Sequence, residues 1–197
     1  MTAAKTLAIA LTLLLAIAAP AASEPAHWSL EEGSKLGWAT KQSGAPVEGV
    51  FQVFTADIAF DREDLENSHV QVEIDMDSVF SEASDRDQTI RSKDLFDTAT
   101  WPTARYQAER FVHLEGDRYE AQGRLSIRDV ELDLNLPFTL TVEDHPEDPG
   151  ALRAHAIGEV PILRLDYGVG QGLWTDTSMV PNEVTVVIDI LAKRPKS

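Results

Sequence analysis

The stretch that most constrains this chain is Val130–Val142, VELDLNLPFTLTV. Val130, Leu132, Leu134, Leu136, Phe138, Leu140 and Val142 are apolar, and the positions between them are Glu131, Asp133, Asn135, Pro137, Thr139 and Thr141. A period of two held this long describes a β-strand with one wet face and one oily face. At ~3.3 Å per residue it reaches roughly 40 Å, about twice an ordinary strand. A strand so long and one-sided has to curl around something apolar, which makes it one stave of an antiparallel barrel. Pro137, on the outer face, has no N–H to give a ladder, so a bulge or a locally open edge is expected there.

The rest of the chain supplies the other staves. Ser34–Gln42 reads as a first strand, and the Gly44–Pro46 turn leads into Val50–Phe60, with a bend expected near Val53 where the parity changes. Val70–Met76, Thr103–His113 (parity change at Phe111), Tyr119–Ile127, Leu152–Val160 and Val184–Ala192 alternate in the same way. Ser84-Asp85-Arg86-Asp87 has the look of a helix start, with a capping residue and acids in the first turn, and the helix should end near Ser92. Arg164–Asn182 is irregular and rich in glycine. The expectation is one all-β domain over 24–197, a single antiparallel, lipocalin-like eight-stranded barrel with one short helix, since closure removes exposed edges.

Ahead of it, Lys5, the apolar run Leu7–Ala19 and the small residues Ala21, Ala22 and Ser23 have the layout of a cleaved secretory signal peptide over 1–23. The apolar run is short for a bilayer span of ~20 residues. The expected product is a soluble, periplasmic protein. The full chain's net charge of −16 repels nucleic acid and anionic lipid headgroups, so a nucleic-acid partner is not expected. There is no cysteine, which removes disulfides and thiol chemistry.

Several inward positions are lean: Ala56, Ala104, Ala108, Ala121, Gly123, Ala154, Ala156 and Gly158. No inward position on the well-patterned strands carries a charge. Two packings satisfy this pattern. In one, a dry lumen lined by Phe54, Ala56, Ile58, Tyr106, Ala108, Ala121, Gly123, Leu134, Leu136, Phe138, Ala154, Ala156, Val186 and Ile188 holds a hydrocarbon chain. In the other, the small residues interdigitate with Leu134, Leu136 and Phe138 into a solid core.

Arg86-Asp87, Ile90-Arg91-Ser92, Leu95-Phe96-Asp97 and Trp101-Pro102-Thr103-Ala104 together resemble the signature of the YceI-like family. Gly123–Val130 is similar to that family's second block, and Gly49-Val50-Phe51 and Arg164–Val169 match two more, over about Trp28–Lys193. The resemblance implies a periplasmic barrel holding a polyisoprenoid or similar amphiphile (a prenyl phosphate, quinone, fatty acid or amide), for carriage, storage or sensing. Two departures stand out: Leu95-Phe96 where many members have two aromatics, and Arg128-Asp129 where many have glycine. The Gly168–Trp174 loop resembles the members associated with membrane cytochrome b561 proteins. That implies an alternative, an accessory module for such a cytochrome with no bound lipid.

A polar head group at the mouth would meet Arg86, Arg91 and Arg164, because guanidinium grips phosphate or carbonyl oxygen well. The competing role for these arginines is to brace the helix and its loop. Phe96, Trp101 and Tyr167 are placed as a flap over the opening and Trp174 as a gate among glycines. Phe51, Val53, Val187 and Leu191 fall on faces expected to be wet, which would suit a homodimer contact. Catalysis is not expected. The five histidines stand apart without zinc-ligand spacing, and there is no nucleophile elbow or phosphate loop, so neither a metal nor a cofactor is called for beyond a bound lipid or isoprenoid quinone.

Overall fold

The computed structural model describes residues 25–196, and the expected signal peptide lies outside them. The strands are β1 (His27–Leu30), β2 (Lys35–Gln42), β3 (Ala45–Phe51), β4 (Phe54–Ala59), β5 (His69–Asp75), β6 (Val79–Phe80), β7 (Thr103–Glu115), β8 (Arg118–Ile127), β9 (Val130–Asp144), β10 (Ala151–Leu163) and β11 (Glu183–Pro195), with helix α1 (Ser84–Arg91) between β6 and β7. The ring runs β1-β4-β5-β7-β8-β9-β10-β11 and closes where β11 pairs with β1. β2 takes over the edge of β11 that β1 leaves, β3 pairs with β2, and β6 with β3. The first three staves are therefore each broken once, and the barrel has the expected eight.

The breaks have local causes. Between β3 and β4, Gln52 N–H donates to the Ser78 carbonyl (3.1 Å) and Val53 N–H to Ser78 Oγ (3.0 Å), so the two residues leave the ladder. The strand changes face there, and Phe51, expected on the wet side, points into the barrel with Phe54. In β7 the register slips between Ala108 and Arg110, which turns Phe111 inward. The β2–β3 hairpin turns at Ser43-Gly44, one residue earlier than the sequence suggested, and Pro46 is tolerated because that part of β3 pairs only with β2. Helix α1 has Ala83, not Ser84, at its N-cap, and no side chain caps it. Asp87 in its first turn is buried and accepts from Ser81 Oγ instead.

Antiparallel order gives the barrel two different ends. At one end lie the 61–68 loop, the 116–117 turn and the 145–150 loop. There Phe60 packs against Phe111 (5.2 Å between centroids), Tyr119 (5.6 Å) and Phe138 (6.2 Å), all edge-on, the arrangement that ring quadrupoles favour. Trp28 joins them by donating from Nε1 to the Phe60 carbonyl at 2.9 Å. At the other end lie α1, the 92–102 loop, the 128–129 turn and the glycine-rich segment 164–182.

Candidate ligand-binding site

Inside the barrel is an apolar cavity of about 660 Å³. That size lies within the range of small-molecule sites, roughly 300–1,000 Å³, and the lining is almost wholly aliphatic and aromatic. The solid-core packing is not adopted. Of the expected lumen residues, Phe54, Ala56, Ile58, Tyr106, Ala121, Leu134, Leu136, Phe138, Ala154, Ala156, Val186 and Ile188 all line it.

Ala108 and Gly123 do not. A Cβ on Gly123 would fall 2.9 Å from Tyr106 Cζ and 2.9 Å from the Ala108 Cβ, so the Tyr106 ring occupies the space these small residues leave. The ring is held across the wall by its hydroxyl, which donates to the carbonyls of Ala121 (2.9 Å) and Leu134 (3.2 Å). Burial, with a smaller contribution from the charge on Glu120, pushes the Tyr106 phenol well above the usual tyrosine range, so it stays a donor.

Several wall residues escaped the sequence reading. Leu36, Trp38 and Phe51 from β2 and β3 line the cavity, and so do Ile90 and Leu95 beside α1. The Trp38 indole lies flat on Gly49, where a Cβ would approach its ring to 2.5 Å. Trp38 was legible as an inward position from its spacing to Leu36. The need for glycine opposite it appears only once the register pairs Trp38 with Gly49.

At the mouth the arginines divide. Arg164 is only 5% exposed, and burial lowers the pKa of its guanidinium. It donates to the carbonyls of Pro181 (3.0 Å), Val169 (2.9 Å) and Val180 (3.0 Å), and so pins both limbs of the glycine-rich segment. Gly170, at φ +127°, lies over it, and a Cβ there would overlap its Nη1. Arg91 is off the cavity wall, spent on the carbonyls of Asp77 (2.8 Å) and Val79 (2.7 Å), with Asp77 also its ion-pair partner at 3.5 Å. Both therefore brace the structure. Arg86 lines the cavity, as Arg164 also does, and donates from Nε to Ser81 Oγ (2.8 Å) and from Nη2 to the Ser81 carbonyl.

The expected aromatic flap is also split. Phe96 lines the mouth and meets Phe51 edge-on at 6.1 Å, and Trp174 lines it from the glycine-rich side. Tyr167 is buried core, and Trp101 lies outside the cavity under the Arg128 guanidinium (4.4 Å). Arg128 itself was missed as a structural device. At φ +56° it donates from Nη1 to the carbonyls of Leu95 (2.6 Å) and Gly168 (2.8 Å), tying the loop after α1 to the glycine-rich segment.

Residues 25–192 match the YceI-like domain family. A UPF0312 protein of Vibrio parahaemolyticus is 27% identical over 126 residues, covering 62% of this chain and 65% of the relative, so the match spans just under two thirds of that relative's length. The crystal structure of Burkholderia cenocepacia BcnA aligns with a TM-score of 0.74 at 27% identity, covering 83% of this chain and 99% of that one. A domain from Saccharophagus degradans shares the fold at 15% identity with a TM-score of 0.63, over 88% of this chain and 100% of that one.

Proposed function

The chain belongs to the YceI-like family, and from that premise we propose that it is an exported, periplasmic binding protein that shelters the apolar chain of a polyisoprenoid or similar amphiphile. The observation that carries this reading is the apolar cavity of about 660 Å³. Burying a methylene is worth ~0.8 kcal/mol, so a chain threaded along the wall gains affinity with length and needs few polar contacts. The Saccharophagus degradans domain with this fold is described as polyisoprenoid-binding, which supports the same ligand class. Arg86 is the mouth arginine best placed for a polar head group: it lines the cavity with only Nε and Nη2 engaged, by Ser81, whereas Arg164 has all three nitrogens on main-chain carbonyls and Arg91 is off the wall. The binding role stands ahead of catalysis, and carriage or storage follows from a lumen that holds its guest away from water. The alternative, a lipid-free accessory module for a cytochrome, came from the likeness of the Gly168–Trp174 loop and assumed a solid barrel, and the cavity bears only on the second of these.

The test is to fill the lumen. Ala156 lines the cavity between Leu140 and Ile190 and is only half buried, so a larger side chain there has room to enter it. Ala156→Trp is expected to abolish uptake of a fluorescent apolar probe such as diphenylhexatriene while the urea midpoint shifts little. Unchanged probe binding by a folded variant would place the site elsewhere.

A further inference from the structure

The ladder between β9 and β10 runs from Asp144–Leu152 to Thr139–Ile157 and stops. Both strands continue. Val130–Phe138 goes on pairing with β8, and 158–163 goes on pairing with β11, but not with each other. From there on the two staves run side by side without rungs over the rest of β10. The break at Gln52-Val53, by comparison, is stitched by bonds to Ser78 and from Asp75. The cause is local. Pro137 and Pro161 supply no N–H. At Gly158 the backbones pinch, and a Cβ there would fall 2.5 Å from the Pro137 carbonyl oxygen.

Solvent reaches the seam from outside. Leu132 belongs to the inward row of β9, opposite the buried Leu125, yet it is 36% exposed and does not line the cavity. Continuing the register of the last rungs sets Leu132 opposite Arg164, just past the end of β10, so the seam is uncovered at its mouth end. On the outer row of β10, Ile157 (49% exposed) and Leu163 (44%) flank the same seam. Immediately inside it, Leu134, Leu136, Val160 and Ile162 line the cavity. Apolar side chains thus lead from the surface, through the seam, to the lumen. The axial mouth is tied on one side by Arg128 and by the Gln171 N–H to Asp94 carbonyl bond (2.7 Å), while beyond α1 the cavity reaches Thr40, Gln42, Asp85 and Thr89.

We infer that the β9–β10 seam is a lateral portal through which a hydrocarbon chain slides sideways into the lumen, the Leu134, Leu136, Val160 and Ile162 side chains parting and no ladder bond breaking. The inference rests on the proposed lumen site and concerns its route of access. Because the chain has no cysteine, engineered pairs are clean tests. Continuing the register of the last rungs sets Asn135 opposite Pro161, so Asn135→Cys/Pro161→Cys staples the seam. Asp94→Cys/Gln171→Cys makes the existing tie at one side of the mouth covalent. With diphenylhexatriene followed by stopped flow, the oxidised seam staple is expected to slow loading and release at least tenfold, reversed by reductant, with the amount bound at equilibrium unchanged. The mouth staple is expected to leave both rates as they were. Normal rates through a stapled seam, or rates blocked by the mouth staple, would overturn the portal and leave the lumen site standing. Failure of the unstapled protein to bind the probe at all would overturn the lumen site and the portal with it.

Discussion

At one end of the barrel Phe60, Phe111, Tyr119 and Phe138 fill the cross-section with rings, while at the other Arg128 and Arg164 reach across to main-chain carbonyls and leave the centre empty. The first end gains its stability by excluding water from apolar surface, and it is dense because ring edges meet ring faces. The second end cannot use that device without closing the lumen. Its order comes instead from charged donors shared among carbonyls, a framework that holds a rim in shape around a void. A barrel that must stay hollow at one end and shut at the other separates the two kinds of interaction by position.

The comparison is most sharply tested by removing its anchors. Phe60→Ala takes out the ring that touches three others and should cost about 3–5 kcal/mol in urea unfolding. A cost comparable to that of a surface substitution would show that the closed end is not what holds the barrel together. Arg164→Met keeps the apolar stem but strands three carbonyls, and a loss of about 3 kcal/mol is expected. Faster amide hydrogen exchange should then be confined to 164–182, and exchange spread evenly round the barrel would deny the local role.

Tyr106→Phe should cost about 1 kcal/mol at neutral pH, since one hydroxyl with two acceptors is lost. The phenol's folded pKa is raised above its ordinary value of 10.0, so its contribution is whole below pH 10 and falls as pH rises further. The gap between wild type and Tyr106→Phe should therefore narrow under alkali, and a gap that widens would contradict the burial argument. Smallest of all, Leu173→Ser on the open rim should change stability by less than about 0.5 kcal/mol, because Leu173 is 92% exposed. A larger loss would mean that the rim is packed in solution in a way its exposure does not suggest.

Most of the architecture could be read from the chain. Alternation along Val130–Val142 and its neighbours marked the staves, and the parity changes at Val53 and Phe111 marked real irregularities. What escaped depends on contacts between distant segments. His27–Leu30 is too short to show a period and becomes a strand by pairing with β4 and β11. Ala108 and Gly123 read as empty space because a pattern says which residues are small, not that the Tyr106 ring, two residues from Ala108 on β7, lies over them. Arg164 read as a ligand-gripping cation because its charge is visible in sequence, while the carbonyls that occupy it belong to Val169, Val180 and Pro181 in their folded positions. Arg128, at one of the two places where the sequence departs from the YceI-like pattern it resembles, offered a signal in that departure. Its bonds to Leu95 and Gly168 supply the reason for a side chain there.

The central claim is that the lumen is kept hollow to hold a chain-like apolar guest. Organic extraction of protein purified without detergent, followed by mass spectrometry of the extract, addresses it directly. The account predicts an isoprenoid-class lipid in amounts stoichiometric with the protein, absent from Ala156→Trp prepared in parallel. Extracts free of lipid from the folded wild-type protein, or the same lipid in equal amount from the filled variant, would contradict it.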